Sequence, residues 1–198
     1  MIVWGSCVAT WQRATDWLIP GLDRNVEHGD LVALTQADHI AAAYNRILDA
    51  APDGAAAVLL HDDTELGDGA RTAILAALDD ADVAGPIGAE GVTSLAWWEG
   101  NGKGRVGETR GTIAFAPPGP VDVLDGLLIA LGPKATGLRF DTGYPAWHGY
   151  DADICSQARA QGLTVVSAPI PAHHHTKGGY GDRQAWEQAD RRWRARWT

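Results

Sequence analysis

AAAVLLHDDTELGDG, residues 55–69, decides how the rest of the chain is read. Ala56 to Leu60 has the apolar, β-rich composition of a buried strand, and it runs straight into His61, Asp62 and Asp63. Two neighbouring carboxylates repel each other, so this strand end needs a cation or a solvated turn to offset them. The plainer alternative is such a turn leading into a helix, because Asp68 and Gly69 resemble a helix start.

Outward from this stretch, strands and helices alternate. Ile2 to Ala9 predicts a strand, and Trp11 to Ile19 a short helix ended by Pro20 and Gly21. Leu31 to Thr35 predicts a second strand. ADHIAAAYNRILDAA carries Ile40, Ala43, Ile47 and Leu48 on one helical face. After His61 come a helix over about 68–78 and a strand in DVAGPIGA. Such strand–helix–strand units imply right-handed crossovers and a mostly parallel sheet flanked by helices, with ligands at the carboxyl ends of the strands. His61, Asp62 and Asp63 sit at such an end.

The second half is less regular. Glu90 to Gly111 is glycine-rich and reads as a long loop carrying Trp97, Trp98 and Lys103. VDVLDGLLIAL reads as a strand pair or a bent strand around Asp125 and Gly126. GYDADICSQARAQGL is an amphipathic helix with Ile154, Ala158 and Leu163 inward, TVVSAPI a last strand, PAHHHTKGGYG a turn, and Arg183 to Arg196 a terminal helix.

A chain of 198 residues suits one domain with a real core. Cys7 and Cys155 lie far apart, which predicts free thiols and a reducing, cytoplasmic setting. The start lacks a basic region before its apolar stretch, and no window reaches the roughly 18 apolar residues of a membrane span. The formal charge of -9 argues against nucleic acid as a partner, although RRWRARW near the end is locally basic.

Three polar clusters stand out: His61-Asp62-Asp63, then Tyr150-Asp151-Ala152-Asp153 preceded by His148, then His173-His174-His175. Carboxylates suit hard divalent cations, and imidazole suits manganese or zinc. Each cluster has a plainer reading alone. Asp151 and Asp153 also favour a helix N-terminus electrostatically, and three histidines also fit an exposed turn. All three, however, fall at element ends of one α/β sheet.

LLHDDTELGDG, VLDGLLIAL, LRFDTGYPAWHGYDADICSQARAQGL and APIPAHHHTKGG resemble, in order, the landmarks of GT-A glycosyltransferases related to family 2. They are most similar to the small bacterial and phage group with His-x-Asp where others have Asp-x-Asp. The resemblance runs from about Asp38 to Gly179. AYNRILDAA also resembles the helix before the metal strand, whose asparagine would be Asn45.

The resemblance implies a GT-A fold and an inverting, metal-dependent transfer of sugar from a nucleotide-diphosphate donor. A Mn2+ or Mg2+ ion would stabilise the leaving diphosphate. Asp63 matches the metal aspartate, with His174 and His175 as candidates to complete the site. Asp62 and His61 fall on the donor side, and Asp151 aligns with the general base. Asp125 and Gly126 fall where sugar or acceptor approaches, glycine leaving room for a ligand. His148, Tyr150 and Asp153 would support the base.

Two departures bear on the nucleobase: Asp38 stands for an aspartate usually found after the second strand, and Thr10 with Trp11 replaces a Pro/Asn signature. Trp97, Trp98 and Trp147 are candidate sugar platforms, whereas Trp186, Trp193 and Trp197 read as core or interface contacts. Expected acceptors are a glycan, a lipid-linked molecule or a protein. The rival readings are a sugar nucleotidyltransferase or pyrophosphorylase, and a non-catalytic nucleotide-sugar-binding module. The first would carry a glycine-rich basic loop after the first strand, and ATWQRATDW has no glycine.

Overall fold

The computed structural model describes residues 1–176 and 181–198. In chain order the elements are β1 (Ile2–Val8), α1 (Trp11–Arg13), a π-helical stretch (Ala14–Leu18), α2 (Ile19–Asn25), β2 (Leu31–Gln36), α3 (Ile40–Asp49), β3 (Ala56–His61), β4 (Thr64–Leu66) and α4 (Ala70–Asp80). Then follow β5 (Val83–Gly85), β6 (Ile87–Glu90), a 3-10 turn (Trp97–Glu99), β7 (Asn101–Glu108), β8 (Gly111–Ala114), β9 (Val123–Leu124) and β10 (Leu128–Leu131). The last are α5 (Tyr150–Ala160), β11 (Val165–Ser167), β12 (Ala172–His174) and α6 (Arg183–Trp197).

The central six-stranded sheet has the order β11-β5-β10-β3-β1-β2. β10 runs antiparallel to both its neighbours, and the other pairs are parallel. Side chains alternate across a strand, and here both faces are apolar, as a sheet covered on both sides requires. Val3, Cys7, Ala57, Leu59, Ile129 and Leu131 point into one core with α3 and α5. Ile2, Trp4, Val8, Val58, Leu60 and Leu128 point into the other, with Leu18, Leu22 and Ile74 from the helices opposite. The helices after β1 and β2 thus lie on opposite faces, which opens a crevice at the carboxyl ends of β1 and β3.

A second, smaller sheet, β4-β12-β7-β6-β9 with β8 beside β7, is built from segments that the sequence presents poorly. Glu90 to Gly111, expected as a loop, contains the 3-10 turn and β7. Its glycines mark crowding: a Cβ on Gly104 would meet the Pro86 carbonyl oxygen at 2.2 Å, and one on Gly107 would meet His173 at 2.6 Å. TVVSAPI is not the last strand, because β12 follows within PAHHHTKGGYG. β12 pairs antiparallel with β4 and parallel with β7. Residues 177–180 of that expected turn lie outside the described residues. The first helix also does not stop at Pro20. In the π-helical stretch the Ile19 N–H bonds Ala14 O, and the wider turn lets proline enter as the opening of α2.

Candidate active site

Every group at the crevice is set by a strand end or a helix start. Where β3 leaves the sheet, Asp62 turns back to β1. Its Oδ2 accepts the N–H groups of Ala9 (2.8 Å) and Thr10 (3.0 Å), so it fixes the exit of the first strand. Asp63, buried beside it, is ion-paired with Arg13, whose guanidinium also lies 3.4 Å from Asp62. β12 brings in the histidines through the hydrogen bond from His175 N–H to Asp63 O at 2.8 Å.

His61, Asp63 and His174 each offer one ligand atom, all within 4.8 Å of one another. His174 Nε2 lies 3.2 Å from Asp63 Oδ1 and 3.4 Å from His61 Nδ1. Burial pushes the His61 imidazole down to about 3, helped by the charges of His174 and Arg13, and burial also lowers His174. Both rings are therefore neutral near pH 7, the form in which one ring nitrogen can ligate a metal. Asp63 Oδ1 is buried with no hydrogen-bond partner among the described residues. A buried orphan oxygen facing two neutral imidazoles fits a divalent cation. In the tautomer where His61 Nε2–H donates to the Tyr150 hydroxyl oxygen, Nδ1 keeps its lone pair on the His174 side, and such a second contact orients a ligating ring.

The other wall carries a different carboxylate. Asp151 is not the helix cap. Gly149, at φ 78°, starts α5 in the left-handed region, and Asp151 sits inside the first turn. It accepts N–H bonds from Gly126 at 3.1 Å and Ala152 at 2.9 Å. Burial, and then the charge of Asp125, nonetheless push its carboxyl up to about 7. Asp125 accepts the Leu127 N–H at 2.9 Å. Gly126 is glycine for a structural reason: a Cβ there would meet the Tyr150 hydroxyl at 2.0 Å. The expected room for a ligand at Gly126 is thus taken by Tyr150.

A cleft of about 410 Å3 joins these walls. His61, Asp62, Asp63, His174, Asp125, Asp151 and His148 all line it, as do Trp97, Trp98 and Trp147. Other expected residues lie apart from it. His175 turns away from the metal cluster to stack on Trp17 (centroids 4.6 Å apart) and bond Glu65 at 2.9 Å, because neighbouring strand residues face opposite ways. Asn45 is bonded through both amide atoms to the Phe140 backbone, at 2.9 and 2.8 Å. Thr10 and Asp38 are exposed at the exits of β1 and β2. Sequence reasoning did not place Arg13 or Trp186 at the cleft, which both line. Trp186 lies beside Trp98 (centroids 6.5 Å apart), whereas Trp193 is buried as expected.

No protein-family model matches the chain. Over 98% of its length it is 25% identical to the streptomycin biosynthesis protein StrF of Streptomyces griseus, covering 73% of that protein. Its backbone resembles GalNAc-T7 solved with UDP, GalNAc and Mn2+ (TM-score 0.64, 12% identity, 92% of this chain and 44% of that one). It also resembles the mannosyltransferase PcManGT of Pyrobaculum calidifontis with GDP-Man and Mn2+ (TM-score 0.57, 14% identity, 90% and 58%). A197 from STIV is a third likeness (TM-score 0.53, 12% identity, 89% and 85%). The fold is the GT-A fold of glycosyltransferases, as the sequence landmarks predict. The chain spans less than half of the GalNAc-T7 structure and 58% of the mannosyltransferase. Among the described residues no helix is long and apolar enough to cross a membrane.

Proposed function

We propose that residues 1–198 act as one GT-A domain and form an inverting, metal-dependent glycosyltransferase using a nucleotide-diphosphate sugar. One observation carries the proposal: Asp151, with its carboxyl at about 7, shares a cleft with the His61, Asp63 and His174 donor set. A base poised near neutrality can take a hydroxyl proton, and a donor set of two imidazoles and a carboxylate suits Mn2+ better than Mg2+, which prefers oxygen ligands.

His61, Asp63 and His174 would hold the cation, which supplies Lewis-acid stabilisation of the departing diphosphate. Asp151 accepts the proton of the acceptor hydroxyl. The acceptor oxygen forms its bond to the anomeric carbon as the bond to the diphosphate oxygen breaks, and the nucleoside diphosphate leaves. Asp125 keeps the Asp151 proton affinity high and faces the reacting sugar. Trp97, Trp98 and Trp147 offer faces to sugar C–H groups. Thr10 and Asp38, at the exits of β1 and β2, are the candidates for the nucleoside.

The domain would work in the cytoplasm. Likeness to a streptomycin biosynthesis protein adds small metabolites to the glycan, lipid-linked and protein acceptors. The test is incubation with a panel of UDP- and GDP-sugars and Mn2+, following release of nucleoside diphosphate. Release with a particular donor, lost on chelation, is expected. Binding without release would point to a non-catalytic module, and pyrophosphate-dependent formation of nucleoside triphosphate to a pyrophosphorylase.

A further inference from the structure

Asp62 and Asp63 are adjacent and buried, at 4% and 2% exposure. Such a pair needs positive charge. Arg13 supplies it, with one guanidinium nitrogen toward Asp62 and the other on Asp63. Yet Arg13 is held by these ion pairs rather than by packing. Its side chain is 40% exposed, and no residue of α1 is buried. It leaves Asp63 Oδ1 orphaned, so the pairing is incomplete on the side facing His61 and His174.

We propose that Arg13 is a two-position residue. It neutralises the Asp62–Asp63 pair whenever no divalent cation does so, and it yields Asp63 to an arriving cation. The released guanidinium then turns to the diphosphate of the donor. This rests on the metal and nucleotide-sugar reading of the cleft. The guanidinium stays in the same cleft when released, because it lines the wall beside Ala9 and Asp62. A nucleoside diphosphate remains anionic after one divalent cation has bound, and the planar fork of arginine matches phosphate oxygens. Exchange spares the protein both an uncompensated acid pair before binding and excess positive charge after it.

The experiment is calorimetric titration of Mn2+ alone, then of UDP and GDP at saturating Mn2+, into the full chain. The variants are Arg13→Gln, Arg13→Lys and Arg24→Gln. Arg24 pairs with Glu65, away from the acid pair, and serves as the control for a nearby lost charge. Arg13→Gln is expected to tighten Mn2+ by about tenfold and to weaken the nucleotide by about tenfold, the scale of one charge-assisted contact. Arg13→Lys should fall between, and Arg24→Gln should change neither. Opposite signs for the two ligands are not what a general loss of structure produces. Mn2+ affinity unchanged or weakened in Arg13→Gln, or nucleotide affinity unaffected, would overturn the role of Arg13 alone. Absence of Mn2+ binding in both wild type and Arg13→Gln would overturn the metal reading, and this inference with it.

Discussion

Two carboxylate pairs face one cleft and are treated in opposite ways. Asp62 and Asp63 meet a guanidinium, two imidazoles and two backbone N–H groups. Asp125 and Asp151 meet backbone N–H groups and each other. The first surroundings place a guanidinium and ring nitrogens against the acids. The second favour a proton, which is why the Asp151 carboxyl rises to about 7. On the proposed function, acid pairs of the same composition would be divided between metal and proton by their neighbours.

The largest expected effect is on Asp151. Asp151→Asn should lower sugar transfer by roughly 10²–10⁴-fold, the range for loss of a general base. Its stability should move the other way. The Asp151 pKa rises from 3.8 to about 7 on folding, so the folded chain holds a proton that the unfolded chain has lost between those values. That contribution is present at low pH and is lost as pH rises through the window. Thermal melting at pH 8 should therefore give Asp151→Asn a Tm equal to or above that of wild type, and a lower one would break the contrast.

Next is Asp63→Ala, which should abolish metal-dependent binding of UDP or GDP while the fold, followed by circular dichroism, persists. Calorimetry with and without Mn2+ reads this, and the loss should exceed the 10–100-fold that outer contacts typically cost. Tyr150→Phe removes the hydroxyl on His61 and sharpens the contrast from the metal side. A loss of about tenfold in Mn2+ affinity is expected, with the Asp151 titration little changed. Smallest on activity is Asn45→Ala. It should leave KM and kcat near wild type and lower stability by about 1–3 kcal/mol in denaturant unfolding, as two backbone groups lose their partner. A large fall in nucleotide affinity instead would return Asn45 to the donor site.

The central sheet was legible because its strands are short apolar runs between helical repeats, Ala56–Leu60 above all. The smaller sheet was not, because β7 is rich in glycines that serve close backbone approach and so read as loop. β12 was hidden for a related reason: three histidines carry no strand signal, and only pairing with β4 and β7 makes them one. That pairing also settles which side each histidine faces, sending His174 to Asp63 and His175 to Trp17 and Glu65. That Asp63 and Asp151 would share a cleft could be read from motif order. The position of Arg13 on both carboxylates could not, since it depends on a contact between residues some fifty positions apart.

The most direct test of the contrast is a pH titration of the aspartate carboxyl carbons by NMR, in wild type and Asp151→Asn. One wild-type resonance should inflect near 7 and vanish in the variant, and in Asp125→Asn the same resonance should inflect at lower pH. Inflection of every aspartate below about pH 5, near the ordinary carboxylate range, would contradict the assignment of Asp151 as the proton-holding member of the site.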